Sequence, residues 1–223
     1  MDTKVKGIVL KLNDYKDADK LASIFTLEQG IITAKFTGVK KEKAKLKSVA
    51  QPFVFADFVL NESGNNKTVT SANVIDSFYN ILNTYNKTIM GYIVLDIVKS
   101  ILPKEKSEPD LFLLTLNALQ NIETKNELVS TIGYILKFID FSGMEIQFPE
   151  EEYVYLDTLN GNFSKCREQG FMAIDKKVYL TLKNISEEKE IENNETILKQ
   201  ILRLLHNIIY LKFNEDIKSF CFI

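Results

Sequence analysis

Apolar positions along this chain follow two rhythms, one in the first 76 residues and another in the rest. Val5–Leu12, Leu21–Leu27, Ile31–Phe36, Phe53–Leu60 and Lys67–Ile75 are short runs rich in Val, Ile, Phe and Thr, and each reads as a strand. Glu28-Gln29-Gly30 and Glu62-Ser63-Gly64-Asn65-Asn66 supply residues that tolerate positive φ, which predicts tight hairpins. Five strands this closely spaced predict a small closed barrel, because closure removes the edges that would template aggregation. An SH3-like barrel is the alternative.

From about Asn80 the period becomes helical. Ile81, Tyr85, Ile89, Ile93, Ile97 and Ile101 recur at every fourth position, widened by Leu82, Val94 and Val98, and Pro103 ends the run. Ser107-Glu108-Pro109-Asp110 carries a capping Ser, an early Pro and an acid, which predicts a second helix to about Ile122. A third helix spans Leu128–Phe141 and stops at Ser142-Gly143, and the last spans Thr196–Phe213. Between them Pro149, Gly161 and Gly170 interrupt the pattern, with β-like runs at Tyr153–Leu156 and Lys177–Leu182, and Glu187–Asn194 reads as an exposed linker or frayed turn. The expected organisation is a barrel domain at 1–79 and a helical domain at 80–223, with a small β-containing insertion at about 147–185, an α+β arrangement.

Composition narrows the class. The 223 residues are 45% apolar and 26% charged with net charge -2, so this is an ordinary globular chain and no general polycation. Its two cysteines, Cys166 and Cys221, cannot form a disulfide framework, and a reducing cytoplasm fits them. Neither the N-terminus nor the most apolar stretch, Ile89–Leu102, interrupted by Asp96 and Lys99, has the form of a signal peptide or a membrane span.

Candidate catalytic groups are few. His206 is the one histidine and sits among Leu204, Leu205 and Ile208, which favours a structural role over a general base. Neither cysteine has a histidine near it in sequence, so nucleophilic catalysis is disfavoured. No phosphate-loop or dinucleotide fingerprint occurs. Binding, without a catalytic centre or cofactor, is the expected activity.

Charge is distributed unevenly. Residues 1–80 hold 12 basic and 9 acidic side chains, net +3, and the remainder is net -5. The segment Lys35-Phe36-Thr37-Gly38-Val39-Lys40-Lys41-Glu42-Lys43-Ala44-Lys45-Leu46-Lys47 has six lysines against one glutamate. Ammonium groups neutralise phosphates as point charges and lack the fork that reads guanine, so Lys35, Lys40, Lys41, Lys43, Lys45 and Lys47 are candidates for sequence-independent nucleic-acid contact. Tyr15 and Phe36 are candidates for stacking unpaired bases, with core packing as their other reading.

Several ordered motifs carry a family resemblance. Gly7-Ile8-Val9-Leu10, Asp14-Tyr15-Lys16-Asp17-Ala18-Asp19-Lys20-Leu21, Phe25-Thr26 followed by Gly30, Ala34-Lys35 followed by Gly38-Val39-Lys40, and Gln51-Pro52-Phe53 together resemble the opening of the bacterial recombination-mediator family RecO. Tyr210-Leu211 and Lys218-Ser219 are similar to that family's terminal motif. The resemblance implies an oligonucleotide-binding (OB-fold) barrel joined to a helical domain. It implies binding of single-stranded and double-stranded DNA, strand annealing and help in loading recombinase onto coated single strands. It also implies the partners RecR, RecF and the acidic tail of single-strand-binding protein. For that tail, Arg203, Lys212 and Lys218 beside Leu204, Ile208 and Leu211 are the candidate groove on the helical domain. The rival expectation is a protein-interaction adaptor that uses the barrel only as a scaffold. A cysteine-dependent enzyme is a minor third reading.

The resemblance also implies, for many members, a zinc held by four cysteines in an insertion between helices. This sequence departs from that pattern. Cys166 stands at a third-ligand place, Gln169 where a fourth would be, and no cysteine lies between Met144 and Glu151. No metal is expected, and Tyr153, Tyr155, Leu156, Phe163 and Phe171 are expected to hold the insertion by packing.

Overall fold

The computed structural model describes residues 2–64, 66–149 and 154–223. Five strands, β1 (Asp2–Tyr15), β2 (Asp19–Thr26), β3 (Gly30–Phe36), β4 (Phe55–Ser63) and β5 (Asn66–Asp76), close into a barrel in the order β1-β2-β3-β5-β4. β3 and β5 run parallel over Ala34–Lys67 and Lys35–Thr68, and every other pair is antiparallel. This is the Greek-key arrangement of the OB fold and replaces the SH3-like alternative. β1 serves both neighbours: its first half pairs β4, its second half pairs β2, and a register shift between Val9 and Lys11 bends it from one to the other.

The barrel interior follows from alternation. Ala22 and Ile24 on β2, Ile32, Ala34 and Phe36 on β3, and Ala56, Phe58 and Leu60 on β4 point inward and are fully buried. Phe36 meets Phe58 edge-to-face at 6.4 Å.

Helices follow: α1 (Tyr85–Ile101), α2 (Pro109–Thr124), α3 (Glu127–Phe141), α4 (Lys176–Ser186) and α5 (Glu195–Phe213), with short strands β6 (Tyr155–Asp157), β7 (Phe163–Ser164) and β8 (Phe171–Ala173) between α3 and α4. Three expectations are corrected. The first helix does not run unbroken from Asn80. A 3-10 turn at Tyr79–Asn83 comes first, and Thr84 then starts α1 by accepting the Lys87 amide on its hydroxyl at 3.3 Å. Ser107 does not cap α2, which begins at Pro109 and so has Glu108 at its cap position; the Ser107 hydroxyl instead donates to the Leu27 carbonyl at 2.8 Å. Lys177–Leu182 is helical, since Asp175 accepts the amides of Lys177 and Val178 and the buried Val178, Tyr179, Leu182 and Ile185 follow helical spacing.

The chain divides into two compact units, one of residues 1–83 and 95–120 and one of residues 84–94 and 121–223. The division passes through α1 and α2. In the first unit Phe112 of α2 packs on Phe25 at 5.3 Å and Phe55 at 6.0 Å, so the barrel carries its own helical cover. The β2–β3 turn is clasped by segment 104–107, where Glu105 donates its amide to Ile31 at 3.1 Å. Gly30 at φ +68° makes that clasp possible, because a Cβ there would lie 2.0 Å from the Lys106 carbonyl oxygen.

In the second unit α3, α4 and α5 form the core through Ile132, Ile135, Phe138, Leu182, Leu198, Ile201, Leu205 and Ile208. The small sheet has order β7-β6-β8. Segment 187–194 is a non-helical linker, and Asn194 caps α5 by accepting the Ile197 amide. No helix among the described residues is long and apolar enough to cross a membrane.

Candidate nucleic-acid interface

The lysine-rich segment between β3 and β4 is a ladder of consecutive turns. Lys41 donates its amide to Gly38, Ala44 to Lys41, Lys47 to Ala44, and Val49 and Ala50 to Leu46, all between 3.1 and 3.2 Å. Its apolar members are turned to the barrel: Val39, Val49, Ala50, Phe53 and Val54 are buried and Leu46 packs against the same cluster. Hydrophobic burial of those residues fixes the ladder, and the intervening Lys41, Lys43, Lys45 and Lys47 are left exposed.

The start of the ladder is tied to the β1–β2 hairpin. Gly38, at φ +66°, donates its amide to Asp19 at 2.7 Å, and Lys40 donates its amide to the Ala18 carbonyl at 3.0 Å. Lys40 also holds an ion pair with Asp14 at 3.1 Å. Lys41, Lys43, Lys45 and Lys47 make no ion pair among the described residues, so their charge faces solvent. Lys35 lies half-buried on β3, opposite Leu21 and Thr68.

Only one of the two stacking candidates has an accessible ring. Tyr15 is 38% exposed at the end of β1, with the Lys16 ammonium 5.4 Å from its ring centroid. Phe36 is withdrawn, because it is fully buried and its ring packs on Phe58. Sequence reasoning missed Lys20, which shares an open cavity of about 360 Å³ with Asp14, Val39, Lys40, Lys47 and Ala50.

The candidates for a partner groove do not converge. Arg203 and Lys212 are nine residues apart on α5, and at about 100° per residue they project from opposite sides of the helix. Arg203 donates to the Ile223 carbonyl at 2.6 Å, whereas Lys212 donates to Asn162 of the insertion at 3.1 Å. Burial pushes the Lys212 ammonium below its ordinary pKa. Leu204 and Ile208 are core, and Lys218 is exposed in the 3-10 turn Lys218–Phe222. His206 bonds Asp216 at 3.1 Å and stacks on Phe220 at 4.5 Å, which docks the C-terminal segment onto α5.

The residues present do not fit a four-cysteine zinc. Cys166 and Cys221 are both exposed, and no cluster of three His, Cys, Asp or Glu side chains suited to a metal exists among the described residues. Phe148, Phe163 and Tyr179 instead pack together at 5.4–6.1 Å, and the Tyr179 hydroxyl donates to the Pro149 carbonyl. Of the expected cluster, Leu156 and Phe163 are buried, Tyr155 and Phe171 are half-buried, and Tyr153 lies outside the described residues.

Residues 1–78 match the family described as Recombination protein O N terminal, and residues 82–219 match Recombination protein O C terminal. Curated relatives are called DNA repair protein RecO. The one from Caldicellulosiruptor saccharolyticus is 27% identical across 96% of this chain and 95% of its own length. Those from Clostridium perfringens and Bacillus subtilis are 26% and 29% identical, over 89% and 77% of this chain and 82% and 68% of theirs.

Proposed function

The chain belongs to the recombination protein O family, and from that premise we propose that its DNA-repair and recombination-mediator role rests on non-catalytic DNA binding by the lysine ladder. The observation that carries this reading is the pattern of Lys41, Lys43, Lys45 and Lys47, held outward on a segment whose apolar side chains are buried in the barrel. A fixed row of ammonium groups can follow a phosphate backbone, whose neutralisation releases counterions and needs no base readout. Tyr15, exposed at the end of β1, would stack an unpaired base. Shielding of two backbones by one row would lower their mutual repulsion and so favour annealing of single strands, and the same contact serves duplex DNA.

The protein would act in the cytoplasm, with RecR, RecF and the tail of single-strand-binding protein as partners. For that tail Arg203, Lys212 and Lys218 must be tested separately, since they do not share one face. The adaptor reading, in which the barrel contacts no DNA, is not favoured for a chain of this family.

The test is fluorescence anisotropy with a labelled single strand across a salt series. Reversal of Lys40, Lys41, Lys43 and Lys45 to Glu should weaken binding for every sequence, and four neutralised phosphates give the wild type a log–log salt slope of roughly -3. An unchanged slope in the quadruple variant would place the contact elsewhere.

A further inference from the structure

The inward-facing row of β2 changes character at one end of the barrel. Ile24 and Ala22 are fully buried inside, and Lys20, two residues on in the same row, is half-buried at the rim. Its direct cross-strand partner on β1 is Asp14, and directly opposed antiparallel residues place their side chains on the same face. The barrel mouth is therefore lined by a carboxylate where the interior pattern would continue. Lys40 reaches the same carboxylate from the ladder, at 3.1 Å, with its side chain largely covered while that of Asp14 is 72% exposed. Lys47 completes the rim, and Val39 and Ala50, both buried, form the floor.

Three lysines and one exposed carboxylate, already paired with one of them, line a single open cavity, a composition suited to an anion. We infer that the barrel mouth is a subsite for a single nucleic-acid backbone phosphate and that Asp14 is an internal competitor for it, occupying Lys40 until a strand displaces it. The inference rests on the reading that the barrel binds DNA and adds a regulating residue to it. On binding, Lys40 exchanges the Asp14 carboxylate for a phosphate oxygen, and the released carboxylate, being exposed, returns to water at little desolvation cost. It remains close to the incoming phosphate, and like charges at contact distance oppose each other. Asp14 thus weakens the grip of the lysines. For a protein that must release annealed strands, that limit favours turnover.

Removal of the carboxylate should tighten binding. For Asp14→Asn with a labelled thymidine oligomer at low salt, the expected gain is about fivefold, the factor carried by one unit charge near 4 Å in water. The salt slope should steepen by at most about 0.7, the value of one phosphate on a single strand, because no freed carboxylate then takes up a cation to offset the one released. Asp17→Asn removes an equal charge from an exposed position that does not line the cavity, and should give a smaller gain. In a Lys40→Gln background the gain from Asp14→Asn should shrink, because competition for Lys40 is gone, but it should stay above that of Asp17→Asn, because the carboxylate still repels a phosphate in the cavity. An Asp14→Asn gain no larger than that of Asp17→Asn, or one that persists undiminished in the Lys40→Gln background, would overturn the inference. The quadruple lysine reversal separates this failure from the larger one. If reversal weakens binding and Asp14→Asn is inert, only the competitor role is lost. If reversal has no effect, the DNA-binding reading of the barrel fails, and this inference with it.

Discussion

The lysine ladder and the insertion between α3 and α4 are both irregular segments fixed to a regular scaffold, but they are fixed by different means. The ladder has no strand of its own. It is a chain of one-turn hydrogen bonds whose anchors Val39, Val49, Ala50 and Val54 belong to the barrel core, followed by the fully buried Phe53. The insertion builds a three-stranded sheet and closes on a triad of rings, Phe148, Phe163 and Tyr179. In the ladder the anchors are small or aliphatic, and the residues between them are free to be lysine. In the insertion the rings serve packing, and Lys212 of α5, half-buried, donates to Asn162 beside its sheet. A segment that borrows its core from a neighbour can present a dense charged face. One that supplies its own core has fewer positions left for that.

The largest expected effect comes from removing the largest buried side chain next to the ladder. Phe53 is fully buried, and its amide donates to Val9 at 3.0 Å, so Phe53→Ala should destabilise the barrel by about 3–5 kcal/mol. It should also weaken DNA binding, although no charge is altered, because the lysines lose their platform. Chemical denaturation followed by anisotropy below the transition checks both. A stable variant with wild-type affinity would mean that the ladder holds its shape without the core.

The matching change in the insertion separates the two segments. Phe163→Ala removes a ring that touches both Phe148 and Tyr179, and should cost about 3 kcal/mol of local stability while leaving DNA affinity at the wild-type value. Tyr179→Phe deletes the bond to Pro149 and keeps the ring, with a cost of about 1 kcal/mol. Because packing replaces the cysteine set, elemental analysis of the purified protein should find no stoichiometric zinc, and chelator should leave melting unchanged. One zinc per chain would overturn the account of the insertion as held by packing alone.

Much of this was legible in the sequence, and the failures have separate physical causes. The barrel strands were readable because alternation is local, and the ladder because charge density is. Phe36 was misread although its parity with Ile32 and Ala34 already assigned it to the interior. The grouping of Arg203 with Lys212 ignored the helical phase, which sequence spacing alone provides. α4 is hidden because Val178, Tyr179 and Thr181 have strand-like propensity, and the cap at Asp175 outweighs them once Ile185 extends the stripe. The assignment of residues 95–120 to the barrel unit was not legible, since it depends on Phe25, Phe55 and Phe112 meeting across distant parts of the chain. Nor was the Asp14–Lys40 pair, whose partners lie on different elements and share no periodicity.

The smallest expected effect distinguishes the two segments by their hydrogen-bond acceptors. The β6–β7 turn is pinned by a carboxylate: Asp157 accepts the amides of Leu159 and Asn160 at 2.8 and 3.1 Å and the Asn160 side chain at 2.7 Å. Partial burial acts to raise the Asp157 pKa, but the bonds from the Asn160 side chain and the two amides outweigh it, and the net displacement is downward. A carboxyl group with a folded pKa below its unfolded value adds stability that is complete above the unfolded value, about 3.9, and is lost as pH falls through the folded one. The ladder's turns end on backbone carbonyls, such as Leu46 accepting from Ala50, and these do not titrate in that range. Hydrogen exchange should therefore speed up at Leu159 and Asn160 as pH is lowered from 5 toward 3, after correction for intrinsic rates, while Ala50 keeps its protection. Asp157→Asn should abolish the pH dependence at the turn. Equal loss of protection at Ala50 would mean that acid loosens both segments together, and the difference in acceptors would then have no local consequence.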